Sequence, residues 1–490
     1  MKTSICFAAV ACAVFLINCP ASASANSWPE RFRIDKRAVS KLQCSSTCAS
    51  DAGQPLYLTP YINSGKIQEG RSAAAVKGLP GAGAAHGGFS GFLTVNETTG
   101  SNTFFWYFPP LNGNASAPTL LWLQGGPGSS SLFGLFYEIG PFFVTSDLNL
   151  VPNANSWNNE HGLLFFDNPI NTGFSFSSDD DGYARSSDDY SSTLYEAIRQ
   201  FYLLFPELQS NALVITGESY AGKYVPAMAL RIAEENAEGN VPRVPLAGIA
   251  VGDGLVDPLN MVTGYPDLVY QFGLADSAQK SVLESYATNF ASAVKSGDNL
   301  EAYRQFDLMI NGDTLGPSYY TNITQIGYFR CCAALDFDYD DCALRRQRPA
   351  VADPLLSVLD PAYADQNNFY GLLNSALTRA SIHVGNLSYN DGNIEVEKHL
   401  LQDVAASQMS AVIGLLDTYH ISVLFYNGNL DIIVKPLNPK PVPHHLSILL
   451  QCGAPLTARW IDAMQWSGSA AMASAERWAC CPRLPERSTT

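Results

Sequence analysis

ALVITGESYAGKYVP, residues 212–226, runs from a short apolar, β-branched stretch straight into Gly217-Glu218-Ser219-Tyr220-Ala221-Gly222 and on into a helix-compatible stretch, Lys223–Glu235. A strand that turns directly into a helix strains the residue at the turn and brings flanking backbone close to it, so its neighbours must be small. Gly217 and Ala221 meet that need. The setting is that of a nucleophile elbow with Ser219 at its apex, although serine is also common in ordinary glycine-rich turns.

Working outward, further short apolar runs alternate with amphipathic stretches: Phe104–Phe108, Thr119–Leu123, Leu163–Phe166, Leu246–Val251 and Ile421–Tyr426. Continuous apolar runs are what strands covered on both faces require. The stretch Ser187–Phe205 reads as a helix, with Ser187, Asp188 and Asp189 at its start and Pro206 beyond its end. The expected body is therefore an α/β sandwich. It begins near Phe89, after an irregular N-terminal segment, 26–88, with a Gly/Ala-rich passage from Ala73 to Gly88. Core residues 89–254 precede a helical insertion, 255–375, and the core resumes over 376–478.

Two more segments carry chemistry. In LLWLQGGPGSSS, residues 120–131, glycines follow a strand. Glycine lets backbone N–H groups approach a developing oxyanion, and Gly126 and Tyr220 are the candidate donors. Taken alone the run is also a plain Gly/Pro turn. In ISVLFYNGNLDIIV, residues 421–434, Asp431 sits in the loop after a late strand, where a triad acid would orient a histidine.

Composition narrows the function. The 490 residues hold 29 Lys and Arg against 45 Asp and Glu, a formal net charge of −16, which argues against a nucleic-acid partner. With 15% charged and 47% hydrophobic residues, against about 25% charged in average proteins, the chain has material for a large core. Lys2, the apolar stretch Ile5–Ile17 and the small residues Ala21–Ala25 read as a secretory signal over 1–25; the competing reading, a membrane anchor, asks for a run of about 20 apolar residues. No later run is longer, so no membrane span is expected after cleavage. Cys44, Cys48, Cys331, Cys332, Cys342, Cys452, Cys480 and Cys481 would then meet an oxidising compartment, in spacings that suit no zinc template. Glycosylation sequons stand at Asn96, Asn114, Asn322 and Asn386.

The segments Trp122–Ser131, Asn168–Ser177 (NPINTGFSFS), Gly217–Pro226, Val251–Pro258 (VGDGLVDP) and Tyr426–Asp431 resemble the successive signatures of serine carboxypeptidases, and Gln124 resembles the vitellogenic-like branch. The resemblance runs from about Phe89 to Val434 and resumes at Cys452–Trp478. It implies an α/β-hydrolase fold with a largely helical insertion as a cap over the active site. It also implies release of C-terminal amino acids from peptides or proteins with a free C-terminus, in an extracellular or lysosome-like acidic compartment. By motif position, Ser219 is the nucleophile, Asp431 the triad acid, and Gly126 and Tyr220 the oxyanion donors. Gln124, Glu218 and Glu138 (from FYEIGPF) are assigned to the pocket for the substrate carboxylate. That pocket works only if Glu218 is protonated, since crowded like charges do not ionise together readily and a protonated carboxyl can donate. No metal or organic cofactor is implied, because an activated serine needs neither. Oligomeric state is not legible.

The pattern breaks near the C-terminus. The family's histidine stands in a Gly-His-Met-Val-Pro-like turn after the acid, and this sequence has no such turn. His86, His161, His383, His399 and His420 precede Asp431, while His444 and His445 lie in the Pro-rich KPVPHHLS. Residues 434–451 read as an unspliced-intron insert, residues 479–490 as an aberrant tail, and the C-terminal end of the fold as incomplete. Continuous cDNA reads carrying 434–451 in every isolate would contradict the insert. A triad without its base loses several orders of magnitude in turnover. The expectation is a serine carboxypeptidase gene whose present polypeptide is impaired. The alternatives are an acyltransferase of the same fold and a secreted, non-catalytic binding or storage protein on the scaffold.

Overall fold

The structure, a computed structural model, describes residues 51–81, 87–312, 318–320 and 367–427. The signal segment, all eight cysteines named above, Asn322, Asp431, the 434–451 segment and the tail lie outside the described residues.

The strands are β1 (Phe89–Asn96), β2 (Ser101–Phe108), β3 (Thr119–Leu123), β4 (Phe142–Val144), β5 (Leu150–Pro152), β6 (Gly162–Phe166), β7 (Leu213–Glu218), β8 (Leu246–Gly252) and β9 (Ser422–Tyr426). Seven of them form one sheet in the order β1-β2-β6-β3-β7-β8-β9, while β4 and β5 pair apart from it. β1, β2 and β6 run antiparallel and every later pairing is parallel. The register lines up Leu121, Ile215, Ile249 and Val423 across four adjacent strands, each almost wholly buried. Each sequence-predicted strand overlaps one of these elements, with Ala212 and Ile421 lying one residue before β7 and β9, and β1, β4 and β5 carry no such apolar run in the sequence reading.

Alternation along β2 explains why its apolar run is continuous. Successive side chains point to opposite faces. Phe105 and Tyr107 join one core cluster with Leu121 and Phe201. Phe104, Trp106 and Phe108 join a second with Trp122 and Phe165. The sheet is thus buried on both sides, as parallel sheets are.

The helices are α1 (Thr59–Asn63), α2 (Ile67–Ala74), α3 (Ser187–Leu204), α4 (Ala221–Ala237), α5 (Pro258–Val262), α6 (Tyr265–Gln271), α7 (Ser277–Ser296), α8 (Asn299–Phe306), α9 (Asn367–Asn374), α10 (Ala376–Ser381), α11 (Ile394–Val404) and α12 (Met409–Asp417). α3 starts where its caps dictate: the Ser186 side chain accepts from the Asp189 N–H, and Asp188 and Asp189 place negative charge at the positive end of the helix dipole. Its Phe201 ring meets Phe105 and Tyr107 edge-on at 5.8 and 5.3 Å, which fastens the helix to the sheet.

Two boundaries differ from the sequence reading. Residues 51–81 are not irregular throughout: they hold α1 and α2, and Leu58 and Ala74 are fully buried. The Leu58 N–H donates to the Phe92 carbonyl at 2.9 Å, so the segment is tied to β1 by contacts no local pattern announces. The helical region also does not end near 375. Among the described residues, it runs on through α10, α11 and α12 before the sheet resumes at Ser422.

Candidate functional site

The turn at residues 218–221 joins β7 to α4, and Ser219 adopts φ +58°. A non-glycine residue in the left-handed region costs on the order of 1–3 kcal/mol and persists only where its surroundings over-determine it. Here they do. The Ser219 N–H faces the Gly252 and Asp253 carbonyls at 3.2 and 3.1 Å, and the Ser219 carbonyl accepts from the Gly222 and Leu255 N–H groups, both at 2.9 Å. Gly217 is needed for the close approach: a Cβ there would lie 2.8 Å from Ala221 Cβ and press on the Leu123 carbonyl.

The glycine run after β3 lies against this turn. A Cβ on Gly125 would stand 2.6 Å from the Glu218 carbonyl and collide with the Tyr220 amide nitrogen. Gly125 is thus a site residue that the sequence reading passed over, although it stands in the same glycine run. Gly126, Ser219 and Tyr220 line one small, partly open cleft. Leu255, Phe306 and Val404 give that cleft apolar walls, with Tyr303 and Glu397 beside them. Tyr303 and Phe306 come from α8, so the helical region overlies the elbow as the family resemblance implied. The Tyr303 hydroxyl donates to Glu397 at 3.1 Å.

The three residues assigned to the carboxylate pocket are also brought together. Trp122 Nε1 donates to Gln124 Oε1 at 2.9 Å, which turns the Gln124 amide so that Nε2 donates to Glu218 Oε1 at 2.6 Å. Glu138 ends the wide helical turn Gly134–Glu138. Burial of the Tyr426 phenol, together with the nearby Glu218, Glu138 and Asp253, holds it well above its usual range, so both glutamates act on one phenol. Tyr426 is a second residue the sequence reading missed, because it looked like an ordinary strand residue.

Of the histidines, His161, His383, His399 and His420 are described, and none lines the cleft. His383 Nδ1 lies 3.2 Å from Ser90 Oγ, His399 Nε2 lies 3.5 Å from Asp180, and His420 Nδ1 lies 3.2 Å from the Leu416 carbonyl. Among the described residues no group of His, Cys, Asp or Glu is arranged to hold a metal ion, and no helix is long and apolar enough to cross a membrane. Asn96, Asn114 and Asn386 are all exposed.

A buried acid supports the loop Gly125–Ser131 from behind. Asp167, at the end of β6, accepts from the Phe174 N–H at 2.8 Å and from Ser130 Oγ. Burial, with Asp391 adding like charge, pushes its carboxyl up to about 7. The folded chain therefore holds this proton more tightly than the unfolded chain, whose carboxyl titrates near 3.8. Its contribution to stability is fully present below that value and is lost as pH rises toward and through about 7. Urea midpoints measured from pH 4 to 8 should fall across that window, and Asp167→Asn should flatten the fall.

The sequence profile of the serine carboxypeptidase family matches residues 80–449. Among curated proteins, the chain is 40% identical over 428 residues to the probable serine carboxypeptidase CPVL of Homo sapiens, covering 87% of this chain and 80% of that protein. It is 33% identical over 431 residues to the vitellogenic carboxypeptidase of Aedes aegypti, covering 87% and 80%. Among solved structures, the prohormone-processing carboxypeptidase Kex1(delta)p of Saccharomyces cerevisiae aligns over 78% of this chain and 77% of that one, with a TM-score of 0.51 and 20% identity. The fold is that of the α/β hydrolases.

Proposed function

Because the chain belongs to the serine carboxypeptidase family, matched over residues 80–449 and 40% identical to a relative across most of both chains, we propose that Ser219 is its nucleophile. The observation that carries this reading is Ser219 at φ +58° on the strand-to-helix turn, in one cleft with Gly126 and Tyr220. Ser219 Oγ attacks the carbonyl of the last peptide bond, and the Gly126 and Tyr220 amides receive the negative charge that develops on its oxygen. The C-terminal amino acid leaves, and water then cleaves the acyl-enzyme. Asp431 is the acid that orients the base. A fluorophosphonate probe tests the assignment: labelling at Ser219 in protein from the native source supports it, and no labelling at acidic or neutral pH defeats it.

Gln124, Glu218 and Glu138 hold the substrate's free carboxylate in this reading. A hydrogen bond to a charged group contributes about 1.5–3 kcal/mol. Gln124→Ala should therefore raise KM for a blocked dipeptide with a free C-terminus by about 10- to 100-fold, and leave cleavage of the corresponding ester or amide nearly unchanged. Equal losses on both substrates would remove Gln124 from the pocket.

The missing histidine turn bears on this polypeptide in particular. Without a base, turnover is expected to be on the order of 10⁴–10⁶ slower than with a complete triad. A binding or storage role becomes the second reading, favoured by the fact that no described histidine lines the cleft. Passage through the secretory pathway, with cleavage after the N-terminal signal, sugars on Asn96, Asn114, Asn322 and Asn386, and an extracellular or lysosome-like destination, completes the proposal.

A further inference from the structure

One stretch of chain from the helical region is bonded both to the glycine loop that carries Gly126 and to the side chain of Tyr220. At its start, Asp391 Oδ1 accepts from the Ser130 N–H at 2.6 Å, and the Asn393 N–H donates to the Gly128 carbonyl at 3.2 Å. Both bonds fall on the glycine loop within four residues of Gly126. The other Asp391 oxygen accepts from the Tyr370 hydroxyl at 2.7 Å, which fixes the carboxylate itself. The Asn393 side chain caps α11 and also donates to the Asn171 carbonyl at 2.7 Å, anchoring the turn to the loop after β6.

At the far end of α11, Asp403 is buried and its Oδ2 accepts from the Tyr220 hydroxyl at 2.7 Å and from the Tyr190 hydroxyl at 3.5 Å. Lys223, in the first turn of α4, is fully buried; its ammonium bonds the Ala406 carbonyl and attracts Asp403. Between these ends α11 rises for 11 residues, about 16 Å at the usual pitch, and Val404 and Glu397 face the cleft along the way. A buried polar network that satisfies its members specifies one arrangement rigidly.

We propose that residues 391–406 are a brace that sets the gap between the Gly126 and Tyr220 amides, with Asp391 and Asp403 as positioning residues at its two ends. The proposal rests on those two amides being the oxyanion donors. The brace explains why groups so far from any bond-breaking step are buried at such cost, since an unpaired carboxylate or ammonium in these positions would be heavily penalised. It acts on the transition state and not on the bound substrate: a donor displaced by about 1 Å loses on the order of 100-fold in rate while ground-state contacts persist.

The test uses full-length protein from the native source, with a blocked dipeptide as substrate. Asp391→Ala and Asp403→Ala should each lower kcat by about 10- to 100-fold with KM within about twofold, and Asp391→Asn and Asp403→Asn, which keep an oxygen acceptor, should recover most of the loss. Amide exchange across residues 126–131 should quicken in Asp391→Ala. Unchanged kcat in both alanine variants overturns the brace, as does a parallel rise in KM that Asn does not rescue. If the parent protein shows no turnover and no labelling at Ser219, the catalytic reading has failed. Amide exchange then decides the brace alone: quickening confined to residues 126–131 in Asp391→Ala supports it, and no change there, or a change spread over the whole chain, overturns it.

Discussion

Ser219→Ala, made in protein from the native source with a working base, is expected to abolish fluorophosphonate labelling and to lower kcat for a blocked dipeptide by on the order of 10⁴ or more. KM should change little, because the hydroxyl contributes to bond making and not to holding the peptide. In the polypeptide as written, without the histidine turn, the same substitution should cost no more than about tenfold, since members of a triad act as a unit and their losses are not additive. The contrast between the two proteins is itself the measurement. A loss of 10⁴ in both would mean that a histidine elsewhere serves as base. Ser219→Gly separates chemistry from folding: glycine adopts φ +58° without a Cβ penalty, so this variant should be as inactive as alanine and more stable to heat, by about 1 kcal/mol.

The second large effect concerns Gly125. A Cβ at this position has nowhere to go, because it meets the Tyr220 nitrogen and the Glu218 carbonyl, both backbone atoms of the elbow. Gly125→Ala must move either the glycine loop or the Tyr220 amide, and each move spoils the alignment of two donors on one oxygen. Removing a single oxyanion donor costs about 10²–10³ in kcat, and a loss of that size is expected, measured on the same dipeptide, with KM nearly constant. The protein should remain folded, because backbone displacement at one overpacked contact costs about 1–3 kcal/mol. Wild-type kcat in this variant would mean that the two segments are not in register during catalysis.

Much of this was legible because it is local. Continuous apolar runs such as Phe104–Phe108 mark strands buried on both faces, and the small residues around Ser219 mark a tight turn whatever lies beyond it. The order of the motifs then gave the pairing of the glycine loop with the elbow. What escaped was non-local. Leu58 is buried because Phe92 pairs with its backbone, and nothing in the sequence around Leu58 says so. Tyr426 comes near Glu218 and Glu138 only because β9 lies beside β8, with Tyr426 opposite Gly252. Asp391 and Asp403 look like solvated loop and helix acids until their partners, Ser130 and Tyr220, arrive from more than a hundred residues away. The long helical region hid its own end for a similar reason: α10, α11 and α12 follow residue 375 without a compositional break.

The neighbouring positions of β8 and β9 also bear on how the chain reaches this state. Gly252 pairs with Tyr426 across the sheet, yet the whole helical region separates them along the chain. Closing so long a loop adds little to the equilibrium cost, about 0.6 kcal/mol for each doubling of its length. The kinetic burden is heavier, since pairings between distant segments slow the search. The carbonyls of Gly252 and Asp253 hold the Ser219 amide, and the Asp253 N–H in turn bonds the Tyr426 carbonyl at 2.9 Å, so the conformation of the elbow is tied to the docking of β9, a strand that reaches it from the far side of the helical region.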